Sequence, residues 1–228
     1  RENRVEGGAL GLRTIARVLH AVDRVEHARQ AAPLDDAHGI GRAAVGIDDP
    51  ASRKRRDPKG NDNALGKAFA LHEELSATLS AHSDAMVPPV VADDSGLCVD
   101  ALDGAPGVYS ARYGDPDGSR NLTDSDRNDL LLRELHGVSH RDAFYVCCMV
   151  CVLHPYRVLT AQETWHGRIA ETPSAGTGGF GYDPVFYLPE DGLSVADLSA
   201  QDKNRRSHRG KASRVLYAAL REAAALTQ

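Results

Sequence analysis

Residues 88–113 read PPVVADDSGLCVDALDGAPGVYSARY. A short apolar run, Val90-Val91-Ala92, carries the chain into two adjacent carboxylates, Asp93 and Asp94, followed by Ser95-Gly96. The apolar run has the character of a buried strand ending at a loop. Strand-to-loop junctions are where α/β proteins place reactive side chains, and neighbouring carboxylates there can hold a divalent cation or deprotonate a water. The competing reading is an ordinary Asp-Asp-Ser-Gly turn, because Asp, Ser and Gly are common turn residues.

Working outward, Ala64, Ala68, Leu71 and Leu75 recur at helical spacing and predict a helix from about 62 to 80, with Lys67 beside its apolar face. Downstream, 97–113 is a turn-rich connection, and a helix is expected from about Thr123 to Leu135 with Leu131, Leu132 and Leu135 as its apolar side. Apolar strands follow at 144–153 and about 158–166. The chain closes on an amphipathic helix whose Ala212, Val215, Leu216, Ala219, Leu220 and Ala223 share one face, with Ser207 as its N-cap. Helices alternating with strands make the class α/β.

The 228 residues carry a formal charge of −5, which argues against a nucleic-acid scaffold. No run of eighteen apolar residues marks a membrane span, and no signal-like core follows the start, so the expected setting is cytoplasmic, with neither nucleic acid nor membrane as partner. Three of the four cysteines crowd at Cys147, Cys148 and Cys151. In a strand, Cys148 points away from the other two, which splits any zinc ligand set, so they read as reduced core residues. Residues 1–60 differ from the rest: they lack Phe, Tyr, Trp, Cys and Met, carry one helical stripe at about 10–29, and end in the run Arg53-Lys54-Arg55-Arg56. We read 1–60 as an atypical N-terminal segment, disordered or translated in a shifted frame, and 61–228 as the functional domain.

Two further stretches carry chemistry. Residues 176–183, GTGGFGYD, formally match G-x-G-x-x-G, yet Asp183-Pro184 and an apolar Val185-Phe186-Tyr187 follow where a dinucleotide fingerprint requires a helix. What the segment offers is a free backbone around one aromatic, Phe180, with a carboxylate, Asp183, three residues on. A flat ring with an acceptor suits a nucleobase, and a glycine-rich hairpin with a core Phe is the alternative. The third stretch is Lys203, then Ser207-His208-Arg209-Gly210-Lys211, where a flexible ammonium suits phosphate and a guanidinium fork suits a carbonyl oxygen. His208 and Arg209 fall in the first turn of the last helix, whose free N–H groups and dipole favour an anion.

Together, ADDSGLCVDALDGAPGVYSARY at 92–113, GTGGFGYDPVF at 176–186 and KNRRSHRGKA at 203–212 resemble the Ham1/RdgB-like inosine triphosphate pyrophosphatase family. DNALGKA at 62–68 is similar to that family's helix bearing a phosphate-contacting lysine, and the resemblance spans about 62–228. It implies a central mixed β-sheet flanked by helices, two lobes with a substrate groove between them, and a homodimer. It also implies Mg²⁺-dependent hydrolysis of ITP, dITP and XTP to the monophosphate and pyrophosphate. Carried over by motif position, Asp94 is the general base and a metal ligand, Asp93 supports the metal, and Ser95 touches substrate. Phe180 stacks on the base, Gly181, Tyr182 and Asp183 complete the pocket, Lys67 and Lys203 meet phosphates, and His208 with Arg209 reads the 6-oxo edge. The chemistry is consistent: attack of water on phosphorus needs positioning and charge neutralisation rather than a covalent nucleophile. A donor facing position 6 accepts hypoxanthine or xanthine and is left unpaired against adenine.

The family's N-terminal Thr-Gly-Asn-x-x-Lys loop and its metal-binding glutamate have no counterpart in 1–60. A site short of one lysine and one ligand makes a catalytically impaired nucleotide-binding homodimer the alternative reading.

Overall fold

The Asp-Asp-Ser-Gly stretch lies in the middle of a strand, not at the end of one. The structure, a computed structural model, describes residues 58–79, 87–154 and 156–225. The helical stripe expected at 10–29, the basic run at 53–56 and nearly all of the atypical segment 1–60 lie outside the described residues. In chain order the main elements are α1 (Pro58–Leu79), β1 (Val90–Val99), β2 (Pro106–Gly107), α2 (Asp124–Glu134) and β3 (Asp142–His154), followed by β4 (Arg157–Ile169), β5 (Phe186–Leu188), β6 (Leu193–Ser194), α3 (Ala200–Arg206) and α4 (His208–Ala225). The six strands form one sheet in the order β2-β1-β3-β4-β5-β6. Every neighbouring pair is antiparallel, so the parallel pairing that a mixed sheet requires is not found among the described residues.

β1 pairs with β3 along its full length, Val90 opposite Val152 and Val99 opposite Ala143. That continuous ladder overrides the weak strand preference of Asp, Ser and Gly, which is why the strand outruns its apolar run. Gly96 is required there, because a Cβ on it would run into the carbonyl of Gly107 where β2 folds back on β1.

Strand alternation assigns the two faces of the sheet. On one, Val90, Cys98, Val146, Cys148, Val150 and Val152 pack against Ala64 and Ala68 of α1. On the other, Cys147, Met149, Cys151 and Ala161 pack against Ala212, Leu216 and Leu220 of α4. All four cysteines are buried and none forms a disulfide, with Cys148 facing α1 and Cys147 and Cys151 facing α4. The face of α1 differs from expectation at one turn: Leu71 is exposed, and His72 takes the buried position at the next helical repeat after Ala64 and Ala68. A third cluster joins Leu97 and Val99 of β1, Leu131 and Leu135 from α2 and its C-cap, and Phe186 and Val195 beyond β4, all of them at or near complete burial. Each such side chain contributes about 1.5–3 kcal/mol through area removed from water. α2 begins as its sequence predicts, with Thr123 capping it in a reciprocal capping box with Asp126.

Candidate active site

β1 distributes its polar side chains to both faces of the sheet. Asp94 faces α1, where Lys67 Nζ lies 2.5 Å from its Oδ1 and Asn63 Nδ2 donates to its Oδ2 at 3.2 Å. Asn63 and Lys67 are one helical turn apart, so a single helix grips both carboxylate oxygens. Lys67 also donates to the backbone carbonyl of Asp93 at 3.2 Å. Asp93 and Ser95 face α4, where Arg209 donates through Nε to Asp93 Oδ2 at 3.0 Å and lies 3.4 Å from Ser95 Oγ. The two adjacent carboxylates therefore do not converge on one point, because successive strand residues point to opposite faces. Among the described residues, no three His, Cys, Asp or Glu side chains cluster to hold a metal ion. Asp94 is still a suitable donor: Mg²⁺ is commonly held by one or two carboxylates, with phosphate oxygens and waters completing its octahedron.

On the α4 side a cleft of about 700 Å³ is lined by Ser95, Phe180, Tyr182, Lys203, His208 and Arg209, among others. Phe180 is 64% exposed, an unusual state for a phenyl ring. Lys203 Nζ sits 4.3 Å and Arg209 Cζ 5.9 Å from the ring centroid, so two cations share its vicinity. The loop beneath the ring is tied at several points. Asp183, 3% exposed, accepts from Phe180 N at 2.8 Å, pairs with Lys203, and is 3.4 Å from Tyr145 Oη. Its carboxylate is engaged inside the protein, which differs from the free acceptor that sequence spacing suggests. Gly181 N donates to Asp124 Oδ2 at 2.8 Å, Asn128 Nδ2 donates to Gly181 O at 3.1 Å, and buried Tyr182 donates through its hydroxyl to Ser110 O at 2.8 Å.

Ser207 caps α4 as expected, its Oγ accepting from Gly210 N at 3.1 Å. This fixes His208 and Arg209 in the first turn. His208 is buried and stacks on Tyr145, ring centroids 4.8 Å apart, with no hydrogen-bond partner at Nδ1 among the described residues. Burial first, and then the charges of Arg209, Lys203 and Lys211, hold its pKa down to about 3, so the imidazole is neutral at physiological pH. Below the cleft, burial pushes the Cys147 thiol up to about 11, and it remains a thiol.

The eleven residues singled out from sequence thus form two groups: Asp94 with Lys67 on the α1 side, and Asp93, Ser95, Phe180, Gly181, Tyr182, Asp183, Lys203, His208 and Arg209 around the cleft. Asn63, Tyr145, Asp124 and Asn128 were not singled out. Asn63 had a signal, since it stands four residues before Lys67 on the same predicted helix. Tyr145 was hidden inside an apolar strand.

The Ham1 family model matches residues 51–219. A dITP/XTP pyrophosphatase from Treponema denticola is 47% identical over 151 residues, covering 66% of this chain and 71% of that protein. Among solved structures, the Ham1 protein of Staphylococcus aureus aligns with a TM-score of 0.60 at 35% identity, covering 71% of this chain and 76% of that one. A HAM1 protein from Coxiella burnetii aligns with a TM-score of 0.54 at 40% identity, covering 59% and 68%.

Proposed function

The chain belongs to the Ham1 family, and from that premise we propose that it is a nucleoside triphosphate pyrophosphatase that hydrolyses ITP, dITP and XTP to the monophosphate and pyrophosphate. The reading rests on one observation above others: an exposed phenyl ring, Phe180, lines the same cleft as two cations and a buried neutral histidine. A platform beside fixed donors suits a purine with oxygen at position 6.

In this reading the base stacks on Phe180, Arg209 and His208 meet its 6-oxo edge, and Lys203 reaches the phosphates. Arg209 is a permanent donor, and adenine's 6-amino group facing it would leave both groups unpaired. Asp94 takes the proton from the attacking water. Lys67, which rests on Asp94 Oδ1, has a long exposed stem and can transfer its ammonium to a phosphate oxygen when substrate arrives. Mg²⁺, held by Asp94 together with the triphosphate, would neutralise charge developing on the phosphoryl oxygens. Asp93 holds Arg209 rather than sharing that ion. Ser95, Gly181, Tyr182 and Asp183 shape the pocket, the last through the loop it ties down.

We propose further that the enzyme works as a homodimer in the cytoplasm, on the free nucleotide pool, and that 61–228 is its catalytic domain. No helix among the described residues is long and apolar enough to cross a membrane. The test is product analysis: dITP with Mg²⁺ should yield dIMP and pyrophosphate in equal amounts. Release of dIDP and orthophosphate would contradict cleavage at the α-phosphorus.

A further inference from the structure

We propose that Asp124 and Asn128 of α2 are positioning residues that set the Phe180 platform by holding the peptide groups of Gly181 from both sides. The inference rests on the reading of Phe180 as a base platform. Gly181 donates its N–H to Asp124 Oδ2 at 2.8 Å and receives Asn128 Nδ2 on its carbonyl at 3.1 Å. Its φ of +63° lies in the left-handed region, so the residue after Phe180 is fixed in a conformation that an unrestrained loop would leave readily. Phe180 itself is exposed, and core packing cannot orient its ring. Beside the two cations at its face, Lys203 and Arg209, the ring takes its orientation from the backbone that carries it.

α2 is suited to supply it. Asp124 and Asn128 are four residues apart and so share a helical face. Leu131 and the C-cap Leu135, both fully buried, and the Thr123 capping box fix the helix beneath them. Asn128 is 5% exposed; its amide nitrogen donates to Gly181, while its Oδ1 is buried with no hydrogen-bond partner among the described residues. Arg127 holds Asp124 from the other side at 2.5 Å. Asn128 does not line the cleft, and Asp124 borders it with one carboxylate oxygen taken by Gly181 N–H and the other by Arg127, so both act through the Phe180 loop.

A ligand without a base separates this role from a general structural one. The variants are Asp124→Ala, at a half-exposed site that tolerates truncation, and Asn128→Leu, of similar shape but unable to donate. In each, KM for dITP should rise at least about fivefold, on the scale of one lost hydrogen bond, with kcat within about twofold. Inhibition by inorganic tripolyphosphate, which has no base to stack, should be unchanged. Asp124→Asn, which retains an acceptor for Gly181 N–H, should restore KM. An unchanged KM in Asp124→Ala, or tripolyphosphate affinity falling in parallel, would overturn the proposal. Wild-type protein is the control on the underlying reading: absence of dITP turnover there overturns the pyrophosphatase assignment, whereas normal wild-type turnover matched by both variants overturns the positioning role alone.

Discussion

Asp94 is held on both carboxylate oxygens by α1, and its value as a base depends on that orientation. Asp94→Asn keeps the shape and one acceptor oxygen for α1 but loses the carboxylate that accepts a proton. We expect the variant to fold and to lose at least about a hundredfold in turnover, the lower bound for removing a general base; near-normal turnover measured under Mg²⁺ would remove Asp94 from that role. His208 makes a prediction of a different kind. With its folded pKa near 3 and an unfolded value of about 6.5, the unfolded chain binds a proton that the folded one refuses between those limits. Stability is therefore unaffected by this group above about pH 6.5 and falls as pH drops below it, by about 1.4 kcal/mol for each unit down to about 3. In urea titrations from pH 7 to pH 4, wild type should lose stability more steeply than His208→Gln, the difference between the two slopes being the contribution of this imidazole. Equal slopes would mean that the imidazole is not excluded from protonation in the fold.

At the scale of elements, the approach of α1 to the sheet decides where Lys67 and Asn63 stand. Ala64 and Ala68 are fully buried against β1 and β3, so the helix lies close enough for its next face to reach Asp94. Ala68→Leu should push α1 outward, cost about 1–3 kcal/mol through overpacking, and lower kcat by separating Lys67 from Asp94. Unimpaired kcat in a folded Ala68→Leu protein would show that the spacing is unimportant. The helices were legible because their periods are strong: α2, α4 and most of α1 follow from apolar spacing, and Ser207 was readable as the cap of α4. The exchange of Leu71 for His72 was not, since residue type alone favours the leucine and only the angle of α1 on the sheet brings the histidine under. Nor was the continuation of β1 through Asp93-Asp94-Ser95-Gly96, because pairing with β3 supplies what local propensity lacks. The same misjudged boundary made two adjacent carboxylates look convergent, when the pleat sends them to opposite faces.

For the whole molecule, the sheet acts as a divider. The carboxylate held by Lys67 stands on one side, and the cleft holding Phe180, Lys203, His208 and Arg209 on the other, with β1 contributing to both. Motif spacing marked the members of both groups, because each motif is a short local segment. It did not reveal their division or the α2 contacts beneath the Phe180 loop, which come from segments more than fifty residues apart. An elongated substrate with a base at one end and a triphosphate at the other suits such a layout. The central claim is that the cleft selects purines by the oxygen at position 6. The most direct measurement is pyrophosphate release from dITP and from dATP, with Mg²⁺, at equal concentrations of this protein. The account predicts turnover of dITP with kcat/KM at least about a hundredfold above that for dATP, as expected where a site that donates to an oxygen meets an amine instead. Comparable turnover of both nucleotides would contradict it.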